Sequence, residues 1–165
     1  MPQSSRLADL EELVETNYQK LAKFQKRLDR TASVREEFDI EGDIPKIRKA
    51  IRDYEAEYWQ ILAQEARTCV VEDVDASHAI VEVVQEVELI ENKLSANYPD
   101  QFMRLLLEIR DKLNEPGQPA AAKAKLALPL VPGILSYEVE LDTENSLRRA
   151  FQPIRRLFKG ALEKN

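Results

Sequence analysis

Cys69 and His78 are the residues best equipped for chemistry, a thiol nucleophile and an imidazole base, each the sole example of its type and nine positions apart. A nucleophile–base pair needs a shared pocket and an oxyanion site, and no glycine-rich turn lies near either residue. The expectation is therefore a packed thiol and a histidine exposed at a helix start, with no catalytic residue. Three acids, Glu72, Asp73 and Asp75, lie between them. They can touch a divalent cation, but they lack the spaced ligands and the glycine of a calcium loop. A solvated acidic face is expected, with no metal and no cofactor.

Two further groups suit binding rather than catalysis. Tyr54, Tyr58 and Trp59 cluster late in a helical pattern. Tyr54 and Tyr58 fall on its apolar stripe and read as core. Trp59 is one step off it, so it either packs against the second half of the chain or marks an interaction surface. The second group is basic: residues 143–165 hold Arg148, Arg149, Arg155, Arg156, Lys159 and Lys164 against Glu144 and Glu163, a net of +4. Residues 72–91 are the counterweight, with seven acids and no lysine or arginine. The basic helix can lie against that acidic region, bind an acidic partner, or dock on anionic lipid beside the apolar run LALPLVPGIL. Tyr58, Trp59, Arg148, Arg149, Arg155 and Arg156 are the candidate protein-interaction residues.

The elements that position these groups begin with the stretch Ile44–Leu62. Ile44, Ile47, Ile51, Tyr54, Tyr58 and Ile61 are spaced 3, 4, 3, 4 and 3, a narrow stripe along one helix that suits a coiled-coil seam. Upstream, Leu7, Leu10, Val14, Asn17, Leu21, Phe24 and Leu28 repeat the spacing, predicting a partner helix over about Ser5 to Arg30, capped by Ser4 or Ser5. Asn17 either fixes register on the seam or sits at a wet edge. Ser33 to Glu36 has capping-box spacing. Either a helix restarts there and kinks at Pro45, or Asp43 caps a new one. Both give an antiparallel hairpin with a linker of about ten residues.

Downstream, Ser77 reads as the N-cap of a helix facing inward through Ile80, Val83, Val84, Val87, Ile90 and Leu94. Residues 96–100 form a turn. A further helix carries Phe102, Leu105, Leu106, Ile109 and Leu113 and ends at Asn114-Glu115-Pro116-Gly117. Gln118–Lys125 is a linker or another helix start. Pro129, Pro132 and Gly133 are expected to prevent a regular helix, and the alternation of Tyr137, Val139 and Leu141 predicts a short strand over Ser136–Asp142. Asp142 or Thr143 caps a last helix with the face Leu147, Phe151, Ile154, Phe158 and Leu162, kinked at Pro153.

The whole-chain totals agree with this. The chain has 165 residues, 44% hydrophobic and 33% charged, and only four glycines, which argues against a turn-rich β fold. No apolar run approaches the roughly 20 residues of a membrane span. The first residues lack an apolar signal core and the one cysteine fits a reducing compartment, so a cytoplasmic location is expected. The net charge of −6 disfavours generic nucleic-acid binding.

Two blocks together resemble a family. The hairpin ending RDYEAEYWQILAQ and the block from YPDQFMRLLLEIRDKLNEPGQPAAAKAK to LDTENSLRRAF resemble effector-associated helical adaptor regions found beside STAND NTPase, TIR or caspase-like modules in cyanobacteria. The resemblance implies an adaptor without its effector in a bacterial signalling or defence pathway, and carries over no catalytic residue. The expectation for the whole is an all-α protein: a coiled-coil hairpin over residues 1–65, then a small helical bundle over 66–165 with one short β-like segment. Its expected function is a non-enzymatic adaptor or regulatory scaffold with a protein partner, such as a signalling effector, and a homo-oligomeric state. A peripheral membrane-surface protein is the alternative.

Overall fold

The computed structural model describes residues 2–94, 98–141 and 145–164, and all regular structure among them is helical. The chain divides into two compact units, residues 1–58 and 59–165. The division falls inside a helix rather than near residue 65.

In the first unit, α1 (Pro2–Arg30) and α2 (Val34–Ala66) are joined by three residues, Thr31–Ser33, not by about ten. The Ser33 hydroxyl accepts the Glu36 N–H at 3.3 Å, and the Ser33 N–H donates to the Thr31 hydroxyl at 3.2 Å. This local cap starts α2 immediately. Pro45 does not restart the helix but lies within it. The N–H it lacks would have bonded to the carbonyl of Glu41, and both residues are exposed, so water can take the open acceptor. The pairs Arg6–Glu57, Glu11–Tyr58 and Arg27–Glu36 show the two helices running antiparallel.

Leu7, Leu10, Val14 and Leu21 of α1 are buried, as are Ile40, Ile44, Ile47 and Ile51 of α2. The buried line then departs from the 3-4 pattern: Glu55 is buried, and Tyr54 only half so. A helix of 3.6 residues per turn rotates a fixed 3.5-residue stripe by about 20° per heptad, which accounts for the slip. Asn17 donates to the Leu13 carbonyl of its own helix at 2.8 Å rather than across the pair.

The second unit begins with the last turns of α2, where Trp59, Leu62 and Ala66 are buried. It continues with α3 (Asp73–Leu94), α4 (Asp100–Leu113), α5 (Ala120–Ala127), a 3₁₀ turn (Leu128–Leu130), α6 (Val131–Leu141), α7 (Ser146–Ala150) and α8 (Gln152–Lys164). Helix α3 is the hub, packing on α4, α5, α7 and α8. It starts four residues before Ser77, with Asp73 and Asp75 in its first turn where the helix dipole favours acids. Val83, Val87, Phe102, Leu106, Phe151 and Phe158 are among the side chains that close the core. On the expected inner face of α3, Val84 is only half-buried. The side chain of Leu94, residues Ala96 and Asn97, the Ser4 cap and the Asp142 or Thr143 cap lie outside the described residues.

Of the two readings of residues 118–125, the helix start is the one seen, with α5 beginning at Ala120. Three expectations need correction. Pro129 and Pro132 do not abolish helix: each sits in the first turn of a new element, where its missing N–H costs nothing, so the interruption is one 3₁₀ turn. Of the strand expected over residues 136–142, Asp142 lies outside the described residues, and 136–141 form the end of α6. Val131, Ile134, Leu135, Glu138 and Val139 are its buried residues, spaced 3, 1, 3 and 1, a helical period that includes a charged residue. Pro153 goes further than a kink, since α7 and α8 are separate helices with Phe151 between them.

Candidate protein interface

The residues first suspected of chemistry differ in their exposure. The Cys69 thiol is buried, and its backbone carbonyl accepts the Lys125 ammonium at 2.7 Å. His78 is exposed on α3, in the helix interior rather than at its start. Asp73 accepts the Ala121 N–H at 3.1 Å and thereby caps α5 from another helix. Among the described residues no cluster of three or more His, Cys, Asp or Glu side chains is arranged to hold a metal ion.

Among the described residues of the second unit, the buried acid is Glu138. Its carboxylate accepts the N–H groups of Leu147 at 3.0 Å, Arg148 at 3.1 Å and Asn145 at 3.3 Å, the open donors where α7 begins. Asn145 takes a positive φ of 66°, tolerable for asparagine, to turn the chain into that cap. The Tyr98 phenol is held above its ordinary range, first by burial and then by the negative charge of Glu138. Its ring lies 5.1 Å from that of Phe102, which in turn meets Tyr137 edge-on at 5.1 Å.

The interaction candidates also separate. Tyr58 and Trp59 are 3% and 2% exposed, so neither ring is displayed by the chain, and the Tyr58 hydroxyl donates to Glu11 at 2.9 Å. Packing is thus the role observed for Trp59. Arg148 uses its backbone in the Glu138 cap, Arg149 is exposed, and Arg155 is half-buried. Arg156 lines a cleft.

That cleft, of about 500 Å³, lies between α3 and α8. Val71, Ala79, Leu157, Gly160 and Ala161 supply apolar lining together with Pro153 and Val70, the last of them 82% exposed. Glu72, Asp75 and Glu82 stand on the α3 side, and Arg156 and Lys164 on the α8 side. The two charge blocks seen in the sequence therefore meet at one groove, because α3 and α8 pack directly. Helical faces make most of each wall: Asp75, Ala79 and Glu82 of α3 are spaced 4 and 3, with Val70, Val71 and Glu72 just before that helix, and Pro153, Arg156, Leu157, Gly160, Ala161 and Lys164 of α8 follow the same period. Lys164, Gly160 and Ala161 escaped the candidate set, although that spacing was their signal.

Elsewhere in the second unit, Arg110 and Glu91 form a partly buried ion pair at 2.8 Å joining α4 to α3. The run LALPLVPGIL buries Ala127, Leu128, Val131, Ile134 and Leu135 in the core, while Leu126 at its start is 49% exposed. Among the described residues no helix is long and apolar enough to cross a membrane. Comparison with protein-family models, curated proteins and solved structures produced no match to this chain.

Proposed function

We propose that this chain is a non-enzymatic adaptor or regulatory scaffold that works through helix–helix contacts. The observation that carries the reading is the α3–α8 cleft, with an apolar lining and opposite charges on its two walls. A groove of that kind fits an amphipathic helix, with apolar contact giving affinity and the rim charges giving orientation. The distribution of the reactive side chains supports a binding role: the thiol is buried, the histidine is exposed, and Asp73 is engaged in capping.

In this reading α1 and α2 form a coiled-coil hairpin, supported by the 3-4 spacing of their buried residues and by the antiparallel cross-pairs. The chain serves as the adaptor of a cytoplasmic bacterial signalling or defence effector, the role implied by the resemblance of its two sequence blocks. The burial of Leu128, Val131, Ile134 and Leu135 favours a protein partner over a lipid surface, because it leaves Leu126 as the one large apolar side chain of that run exposed for insertion.

Gly160→Trp tests the proposal cleanly. A Cβ at Gly160 meets nothing within 4 Å, so the indole enters the cleft without displacing the fold, and losing a helical glycine favours α8. Tagged wild-type and G160W chains are used to capture partners from the native cell extract, with flotation on anionic vesicles in parallel. The expected result is a partner retained by wild type, lost by G160W, and no vesicle binding. Equal capture by both chains, or vesicle binding that depends on Arg155 and Arg156, overturns the reading.

A further inference from the structure

We infer that the α3–α8 cleft is a self-association surface, filled by the same cleft of a second copy of this chain about a two-fold axis running along the groove. The inference rests on the adaptor reading above and names one partner for its groove. A two-fold axis in that direction lays the α3 wall of each copy over the α8 wall of the other. Glu72, Asp75 and Glu82 of one copy then face Arg156 and Lys164 of its mate, and the pairing occurs twice because the interface is isologous.

Three features of the chain favour this occupant. The first is charge. No ion pair joins these three carboxylates to these two cations among the described residues, although all five line one groove. Three acids against two bases leave the cleft at −1, whereas the whole chain carries −6. Repulsion between copies is therefore concentrated elsewhere, and the cleft is the place where like meets unlike. The second is relief. Ala79, Gly160 and Ala161 are small, and the space above Gly160 is open, so a second backbone can approach closely. The third is the uncovered Val70 at the rim, which adjoins the groove and would be covered by a facing copy.

Charge reversal in a paired design tests this on the full chain. One variant, Arg156→Glu with Lys164→Glu, has acids on both walls. The other, Glu72→Lys with Glu82→Lys, has a predominance of bases. All four positions are exposed, so circular dichroism and melting temperature should stay close to wild type, and they are measured to show it. Sedimentation equilibrium should find wild type dimeric and each variant alone weakened at least about 10-fold, since like charges placed across an interface cost well over the 1.4 kcal/mol that a decade of affinity represents. An equimolar mixture of the two variants should regain a dimer containing one copy of each. Raising the salt should weaken the wild-type dimer and the mixed dimer alike. A wild type that stays monomeric, variants that associate as well as wild type, or a mixture that fails to pair overturns the inference. Loss of partner capture by G160W in a chain shown to be monomeric would leave the adaptor reading standing without it.

Discussion

Replacing Glu138 by alanine should destabilise the second unit more than any change to an exposed charge. The carboxylate is 3% exposed and accepts three backbone N–H groups at the start of α7. A hydrogen bond to a charged group is worth about 1.5–3 kcal/mol net, and a buried donor left open costs about 1–3 kcal/mol. Counting the buried bond from Leu147 in full and the two part-buried ones from Asn145 and Arg148 at about half gives roughly 3–6 kcal/mol. The desolvation cost of the buried charge disappears in the variant and offsets part of this, so about 3–5 kcal/mol is expected. Glu138→Gln keeps one carbonyl oxygen but loses the charge, and neutral bonds are about half as strong, so about 1–3 kcal/mol is expected there. Urea unfolding followed by circular dichroism measures both, with the m-value checked for a changed unfolded state. Amide exchange supplies the local readout, and Leu147 and Arg148 should lose protection before the centre of α3 does. If Glu138→Ala falls within about 0.5 kcal/mol of wild type, the cap does not hold α7 and the reasoning fails.

Other expectations follow from the same packing. Ile51→Asp puts a carboxylate at a position only 1% exposed and should cost several kcal/mol; an unchanged melting temperature would show that the hairpin core is misplaced. Cys69 should react with a maleimide far more slowly than free cysteine in native buffer and at the free rate in urea, because its thiol is buried. Native labelling at the free rate would refute that. The Tyr98 phenol binds its proton more tightly in the folded chain than in the unfolded one. Its contribution is therefore complete below the ordinary tyrosine range and is lost as pH rises through the raised value. Stability of wild type should consequently fall more steeply above about pH 10 than that of Tyr98→Phe, and parallel curves would exclude Tyr98 as a source of the alkaline loss.

What the residues determined by themselves was the local period. The spacing of Leu7, Leu10, Val14 and Leu21, and of Ile44, Ile47 and Ile51, fixes two amphipathic helices, because only one rotation about each axis takes all these side chains out of water. Phe102, Leu106, Ile109 and Leu113 fix α4 in the same way. The cap at Ser33 was equally readable, since it depends on neighbours three residues apart.

Tertiary structure decided whatever depends on a distant partner. The alternation of Tyr137, Val139 and Leu141 resembles a strand because Glu138 reads as a solvent-facing residue. Its buried place on α6 becomes intelligible only when the open N–H groups of α7 arrive to bind it. Pro129 and Pro132 look like breakers of one helix until the chain is seen to start a new element at each. Trp59 is polar-tipped and off the stripe, and its burial is set by packing rather than by its own helix. The charge blocks at residues 72–91 and 143–165 were visible as composition, yet composition has no geometry. The packing of α8 on α3 brings Arg156 and Lys164 opposite Glu72 and Glu82, because burying Ile154 and Phe158 leaves those cations on the helix face that borders the groove.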